Sequence, residues 1–560
     1  MDYSTTQGKP GNFFGQLRFP LRKIFGSNVL KAAKTNPQKK ESGENDAACA
    51  SGPGGGKDPK DNDSYGPRGK IGLFLGPGLF LLFMLLVPVG ESFTASMRAA
   101  AASTIWIAVW WVTEAIPIPA TSLLPLVLFP LTGTISFGET TVGYANPNVF
   151  LFLGGFMLAV TMQRWNLHRR LALAIISVVG TDPSRLILGF MLATGILSMW
   201  ISNTATAMMM LPIGLAVILQ VADMAQAQGI KVQAGPGKFP FGTALMLGIA
   251  YSASVGGVGT LIGTPPNAIF ASVASSTYGI DISFAQWLLY GLPLSIIFLF
   301  LSWFYLIKFF NMKNLKGLKG GSGVIDEERK ALGPVSKAEA LTGIIFLCVA
   351  LAWITRSFLL VKIFPDITDH LIAVLAVIFL FITPVDFKKG KFLLDWDTAV
   401  KIPWGILLLF GGGISIASSF SKTGLDIWIG GQLGSLEGMS IFFIMLCIVT
   451  LVVFLSNVTS NTGTVSMMLP VMVAMAIAMQ VHPFGLMIAA TTAASFAFML
   501  PVGTPPNAVV FGSGYISIPE MARTGFILTL ITIILVPIIT YFWIPIAWGI
   551  DLSFFPAGWL

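Results

Sequence analysis

The sequence predicts an all-α integral membrane protein. Of its 560 residues, 54% are hydrophobic and 11% are charged, and its mean hydropathy is +0.78. Soluble domains carry roughly 25% charged residues, so a soluble bundle of buried helices is disfavoured. Apolar stretches long enough to span a bilayer recur, for example at 71–89, 341–360 and 526–546. Two pairs of motifs also recur in the same order along the chain, which indicates two duplicated halves.

The distribution of basic residues predicts the orientation in the membrane. The net charge is +8, but the lysines and arginines lie in the N-terminal segment and in short stretches between apolar runs, at 164–170, 308–330 and 388–401. This is the positive-inside pattern, not a nucleic-acid-binding stripe. We expect about eleven transmembrane helices plus two re-entrant hairpins, in a multi-pass protein of the plasma membrane, with a cytosolic N-terminus and the C-terminus outside.

Composition also divides the chain into segments. Residues 1–69 are rich in Gly, Lys and Asp and cannot bury enough apolar surface to fold alone, which predicts a disordered cytosolic tail. A transit peptide is the alternative, but Asp2 and the acids from Glu41 onward argue against it. We expect a first transmembrane half at 70–310, a cytosolic linker at 311–340 and a second transmembrane half at 341–560.

The duplication rests on two motifs. Ser-Asn-Thr occurs in "SMWISNTATAMMMLP" at 198–212 and in "SNVTSNTGTVSMMLP" at 456–470, and "GTPPNA" follows each copy, at 263–268 and 503–508. Because an odd number of predicted crossings separates the copies, the halves are expected to be inverted repeats, as in many secondary transporters. Each half should hold one hairpin and one broken helix: hairpins at 183–222 and 439–480, and broken helices at 241–276 and 485–514.

The residue types in these motifs point to a ligand site. Consecutive prolines cannot continue a helix, and non-helical backbone at membrane depth survives only in a cavity or buried in protein. Each triplet offers N-cap residues for an apolar helical run that we expect to end at Pro212 or Pro470. Helix N-termini attract anions, and freed carbonyls bind cations. Contacts between helices and simple proline kinks are the alternatives, but the doubled motifs favour a site.

Charge is absent around both triplets. Segments 186–221 and 439–519 contain no Asp, Glu, Lys or Arg. Because burying an uncompensated dianion is costly, a doubly charged ligand would need bound cations to supply the positive charge. The paired motifs also lack a side chain that could act as base or nucleophile, which disfavours an enzyme. An anion channel remains an alternative, and no organic cofactor or nucleic acid is expected.

Three stretches carry a resemblance to a known family. "WVTEAIPIPATSLLP", "SMWISNTATAMMMLP" and "FAFMLPVGTPPNAVVF" closely resemble the divalent-anion/sodium symporter family, over roughly residues 70–550. The resemblance implies a homodimer with a static scaffold domain and a transport domain that moves like an elevator. It implies Na⁺-coupled transport of succinate, malate, fumarate, 2-oxoglutarate or citrate. Exchangers without Na⁺ coupling and sodium/sulfate symporters of the same family are the alternatives.

The resemblance also implies the site residues. The first sodium site would comprise Ser198, Ser202, Asn203 and Gly263, and the second Ser456, Ser460, Asn461 and Gly503. The substrate carboxylates would meet Asn203, Thr204, Thr264, Pro265, Asn461, Thr462, Thr504 and Pro505. Glu114, in the "TEAIP" stretch, is expected to serve scaffold packing and not proton coupling.

Overall fold

The computed structural model describes residues 67–180, 182–228, 239–312, 322–432 and 438–559. Ten helices of this part are long and apolar enough to cross a membrane, and four shorter apolar helices accompany them. The predicted helical membrane class is confirmed. Residues 1–66, which make up almost all of the predicted tail, lie outside the described residues.

The first half of the chain forms twelve helices in the described residues. They are α1 Pro67–Leu86, α2 Ala95–Thr113, α3 Ile118–Thr121, α4 Leu124–Leu131, α5 Phe137–Val142, α6 Pro147–Arg164, α7 Leu167–Val179, α8 Pro183–Ser198, α9 Asn203–Ala227, α10 Pro240–Val258, α11 Pro265–Tyr278 and α12 Phe284–Phe309. A 3₁₀ turn at Gly143–Ala145 precedes α6.

The second half forms twelve more. They are α13 Ser322–Leu332, α14 Lys337–Thr355, α15 Val361–Ile363, α16 Asp369–Ile382, α17 Trp396–Ala399, α18 Trp404–Thr423, α19 Leu425–Gln432, α20 Ile441–Val458, α21 Asn461–Met479, α22 Pro483–Ser495, α23 Pro505–Phe511 and α24 Ile518–Trp548. A π-helical turn, Arg356–Leu360, joins α14 to α15.

One small sheet departs from the all-α prediction. Strands β1 Pro384–Asp386 and β2 Lys391–Phe392 pair antiparallel, with Pro384 opposite Phe392. Gly390 turns the chain between them with a φ of +62°. Strands of two or three residues are too short to leave an alternating pattern in the sequence.

Two series of helices follow the repeated motifs. α8 and α9 form a helical pair joined at 199–202, and α20 and α21 form the corresponding pair, joined at 459–460. Non-helical backbone separates α10 from α11 and α22 from α23. The expectation that the helical runs end at Pro212 and Pro470 is wrong, because both prolines lie inside continuous helices. Neighbouring helices in membrane proteins can satisfy the backbone groups that a proline frees.

Helix α10 lies at the centre of the molecule. All its residues from Phe241 to Val258 are buried, whereas α1 buries only Gly69, Gly72 and Gly76. Small residues allow this close packing. At Gly256, an added Cβ would lie 2.1 Å from the carbonyl oxygen of Gly195 on α8, so only glycine fits there. A second, smaller apolar cluster lies between α2, α4, α18 and α19, and it includes Ile107 and Phe129.

The basic segments gather at one end of the fold. Arg164 lies 2.5 Å from Asp395, and Arg169 lies 2.7 Å from Glu328. Arg170 pairs with Glu339. These pairs join the segments that the sequence predicts to be cytosolic. The predicted linker 311–340 therefore holds α13 and the first turn of α14, packed against α7.

A second set of contacts joins three loop or terminal segments that the sequence predicts to lie outside, including the C-terminal one. The backbone N–H of Phe284 donates to Asp369 Oδ2 at 2.7 Å. The rings of Tyr278 and Trp559 lie 4.7 Å apart, so the C-terminal segment packs against the end of α11.

Candidate functional site

The two repeats converge on one cavity of about 590 Å³. Both Ser-Asn-Thr triplets and both GTPPNA segments line it. Twelve of the fourteen predicted site residues are in its wall: Ser202, Asn203, Thr204, Gly263, Thr264, Pro265, Ser460, Asn461, Thr462, Gly503, Thr504 and Pro505. The other two, Ser198 and Ser456, are fully buried and hydrogen-bond to Asn203 and Asn461.

Oxygen atoms cluster at the first triplet. Ser198 Oγ lies 2.6 Å from Asn203 Oδ1 and also 2.6 Å from the carbonyl oxygen of Ala253. One hydroxyl proton can serve only one of these acceptors. The Asn203 amide also faces the carbonyl oxygen of Gly263 at 3.2 Å. A serine hydroxyl, an asparagine amide and two backbone carbonyl oxygens therefore converge at this point.

The second triplet repeats the arrangement. Ser456 Oγ lies 2.8 Å from Asn461 Oδ1 and 2.6 Å from the carbonyl oxygen of Ala494. The Asn461 amide faces the carbonyl oxygens of Ala494 at 3.1 Å and Gly503 at 3.0 Å. The same set of groups, a hydroxyl, an amide and two carbonyl oxygens, thus converges twice in one cavity wall.

Two chemical states can satisfy these oxygens. Rotating the Asn203 amide by 180° would point its NH₂ group at the carbonyl oxygens of Ala253 and Gly263. Alternatively, a cation held by Oδ1, the hydroxyl and the carbonyls would leave the NH₂ group facing the cavity. Neutral oxygens from broken helices are the ligands that Na⁺ takes in transporters. The cluster can therefore hold a cation and direct a donor toward an anion at the same time.

Helix N-termini also point at the cavity. α9, α11 and α21 begin at Asn203, Pro265 and Asn461 in its wall, and each has fourteen or more residues. Thr264 and Ser460 are N-cap residues whose side chains make no capping hydrogen bond, so their hydroxyls are open to a ligand. Exposed N–H groups and the helix dipole favour an anion there.

Sequence reasoning missed the residues that shape the two breaks. Asn267 donates from Nδ2 to the carbonyl oxygen of Thr260 at 2.8 Å, with longer contacts to two more carbonyls. Asn507 donates to the carbonyl oxygens of Ala497 and Leu500, both at 3.0 Å. Both asparagines are fully buried. Their position in the repeated GTPPNA motif was a usable signal for this role.

Only glycine fits at the first position of each GTPPNA motif, because backbone atoms occupy the space that a Cβ would need. A Cβ added at Gly263 would lie 2.4 Å from the carbonyl oxygen of Gly257. A Cβ at Gly503 would lie 2.9 Å from the carbonyl oxygen of Asn457. A side chain at Gly263 would push the break away from α10, and one at Gly503 would push it away from α20, so either would open the oxygen cluster.

The cavity wall contains two charged side chains in addition to the uncharged triplets. Arg68 and Glu114 both line it. Arg68 Nη1 donates to the carbonyl oxygen of Val458 at 3.0 Å, and Nη2 donates to that of Val112. The sequence places Arg68 at the end of the tail, far from either triplet, so sequence reasoning did not include it in the site. The triplets themselves are uncharged, as predicted.

The described residues contain no group of three or more His, Cys, Asp or Glu side chains that could hold a metal ion. The described cavity wall offers a cation neutral oxygens from hydroxyl, amide and backbone carbonyl groups. Within the cavity wall, the two triplet clusters are where such oxygens converge.

Comparisons with known proteins agree with this arrangement. Residues 73–549 match the family described as the sodium:sulfate symporter transmembrane region. The sodium-dependent dicarboxylate transporter SdcS of Staphylococcus saprophyticus is 44% identical over 497 residues, which cover 88% of this chain and 95% of that protein. SdcS of Staphylococcus aureus is 45% identical over 486 residues, which cover 86% of this chain and 92% of that protein.

A solved structure shares the fold. The Alcanivorax borkumensis YdaH transporter aligns with a TM-score of 0.50 and 13% sequence identity, covering 86% of this chain and 97% of that one. The relatives in these comparisons are transporters, which confirms that the chain is not an enzyme. It is a multi-pass membrane transporter that belongs to the sodium:sulfate symporter family, the divalent-anion/sodium symporters that its repeated motifs predict.

Proposed function

We propose that the chain is a Na⁺-coupled symporter of C4–C6 carboxylates: succinate, malate, fumarate and 2-oxoglutarate, together with the tricarboxylate citrate. The observation that carries the proposal is the pair of oxygen clusters, one at each triplet, in the wall of a single cavity. The relatives named as sodium-dependent dicarboxylate transporters support it.

The site residues divide by chemistry. Hydroxyl and carbonyl oxygens of Ser198, Ser202, Asn203 and Gly263, and of Ser456, Ser460, Asn461 and Gly503, would hold sodium ions. Donors from Asn203, Thr204, Asn461 and Thr462 would meet the carboxylates, with Thr264 and Thr504 beside Pro265 and Pro505. Hydroxyls and amide NH₂ groups are suitable donors to carboxylate oxygens.

Coupling follows from the shared asparagines. When Na⁺ holds Asn203 Oδ1, the amide cannot turn its NH₂ group toward the carbonyl oxygens, so the donor faces the cavity. The ion also supplies positive charge beside the carboxylate. Asn461 would act in the same way at the second cluster. Anion binding should therefore require the cation.

Transport would follow an elevator mechanism in a homodimer of the plasma membrane, with inverted repeats. The moving unit would carry both hairpins and both broken helices, because these hold the proposed ligands. Arg68 lies in the first turn of α1 and lines the cavity, so we place the cavity opening near the N-terminal end of that helix. With a cytosolic N-terminus and an external C-terminus, this conformation faces inward.

The decisive experiment is uptake of radiolabelled succinate into proteoliposomes. With an inward Na⁺ gradient we expect accumulation above equilibrium, and with choline replacing Na⁺ we expect none. Citrate, 2-oxoglutarate and sulfate are then added as competitors. Equal uptake in choline would overturn Na⁺ coupling, and uptake that never exceeds equilibrium would favour an anion channel.

A dicarboxylate exchanger and a sodium/sulfate symporter of the same fold are the nearest alternatives. Two separate triplets on one cavity suit a ligand with two separated carboxylates better than a single sulfate ion. Uptake that needs succinate inside the vesicle would identify an exchanger. Competition by sulfate at concentrations far below those needed for dicarboxylates would identify a sulfate carrier.

A further inference from the structure

Arg68 is held over the cavity by backbone carbonyls. Its guanidinium donates to the carbonyl oxygen of Val458, the last residue of α20, at 3.0 Å. It also donates to the carbonyl oxygen of Val112 near the end of α2. A guanidinium carries five N–H donors in a fixed fork. The two carbonyls therefore orient the group and leave donors that can face a ligand in the cavity.

Glu114 faces the same cavity from the end of α2. It is the C-cap residue, with a left-handed backbone at φ +51°, and its N–H donates to the carbonyl oxygen of Trp110. Among the described residues that line the cavity, Arg68 is the basic one and Glu114 the acidic one. The ion pairs of the described residues do not include one between them. The two charges therefore do not neutralise each other, and both act on an anion in the cavity.

We propose that Arg68 and Glu114 set the charge selectivity of the cavity between dicarboxylates and tricarboxylates. This inference rests on the proposed function. The two triplets offer neutral donors for two carboxylates, so a third carboxylate must meet another part of the wall. Arg68 would attract it through charge-assisted hydrogen bonds, and Glu114 would repel it. The two residues should thus shift selectivity in opposite directions.

The test compares citrate with unlabelled succinate as competitors of radiolabelled succinate uptake, in the full-length protein. Arg68→Gln should raise the ratio of the citrate to the succinate inhibition constant by about five- to tenfold, the size expected for losing one partly exposed charged contact. Glu114→Gln should lower the ratio. Lys70→Gln removes the same charge from the same helix, away from the cavity, and should leave the ratio unchanged.

A purely structural role would not give opposite shifts. Unchanged ratios in both variants, or shifts in the same direction, would overturn the inference. Arg68→Lys keeps the charge without the fork and should retain most of the selectivity, which guards against a folding defect of Arg68→Gln. Ligand-induced thermal stabilisation of purified protein by citrate and by succinate gives the same ratio without transport. Absence of Na⁺-dependent uptake by the wild type would instead contradict the proposed function.

Discussion

The two triplet sites share their ligand chemistry but differ in how the hairpin is held against the broken helix. At both sites a serine hydroxyl contacts an asparagine amide and an alanine carbonyl within 2.8 Å. At the first site the Thr260 hydroxyl donates to the carbonyl oxygen of Met199. At the second site Asn457 bridges instead, accepting from the N–H of Met499 at 2.8 Å and donating to the carbonyl oxygen of Val453.

In the two repeats, the residues proposed to bind ligands are alike, whereas the residues that hold the hairpin against the broken helix differ. The oxygen clusters have nearly the same composition, whereas the supporting hydrogen bonds use different residues: a threonine hydroxyl donates to a backbone carbonyl at the first site, and a backbone N–H donates to an asparagine side chain at the second. The helices after the breaks also differ, with fourteen residues in α11 and seven in α23. Of the two hairpins, Arg68 hydrogen-bonds to the second. Variants of the two sites should therefore have equal effects on binding chemistry and unequal effects on stability.

The largest effect is expected from the shared asparagines. Asn203→Ala or Asn461→Ala should reduce Na⁺-driven succinate uptake by about thirtyfold or more, because each amide is proposed to serve both the ion and the anion, and losing a charged hydrogen bond costs about 2 kcal/mol or more. Uptake into proteoliposomes measures this, with monodispersity by size-exclusion chromatography as the control for folding. Unchanged uptake in either variant would contradict the assignment of that residue.

The next effect concerns sodium alone. Ser198→Ala and Ser456→Ala each remove one cluster oxygen that does not line the cavity, so the Na⁺ concentration for half-maximal uptake should rise by about tenfold, as expected for one lost ligand worth about 1.4 kcal/mol. The succinate affinity at saturating Na⁺ should change little. Ser177→Ala, at an exposed position on α7, is the matched control. A changed succinate affinity with unchanged Na⁺ dependence would contradict the prediction.

Repetition and the family resemblance together are the reason that the candidate site could be proposed from the sequence. The fourteen positions that the resemblance implies lie in or beside motifs that occur twice, and twelve of them line one cavity. The sequence could not reveal Ala253 or Ala494, because they contribute backbone oxygens and any residue type has those. Arg68 was missed because only tertiary packing brings the start of α1 to the end of α20.

The fold class was predictable for a different reason. A bilayer imposes helix length and apolar composition on every crossing, so these features appear directly in the sequence. Local breaks are less visible, because tertiary context decides whether a proline ends a helix. Pro212 continues α9, whereas Pro265 begins α11 after a break. In GTPPNA the two prolines are consecutive and a glycine lies two residues before the first of them. This difference from Pro212 is visible in the sequence.

A smaller effect, on stability, should distinguish the hydrogen bonds that hold the hairpin against the broken helix at the two sites. Asn457→Leu removes two hydrogen bonds and should destabilise the protein by about 2 kcal/mol, whereas Thr260→Val removes one and should cost about 1 kcal/mol. The difference in thermal unfolding midpoint between the two purified variants measures this. Equal midpoints would mean that the two bridges contribute alike, which would remove the distinction between the sites. Both variants should retain Na⁺ dependence.

The smallest effect is expected from the N-terminal segment. Deleting residues 1–60 should leave the succinate affinity and the turnover rate unchanged, because the family match begins at residue 73 and the cavity wall begins at Arg68. Kinetics in proteoliposomes, normalised to correctly inserted protein, measure this. A deletion that changed the ratio of citrate to succinate inhibition would show that the segment acts on the Arg68 end of the cavity. Since Arg68 hydrogen-bonds to the second hairpin, such a change would also make the two sites unequal in binding.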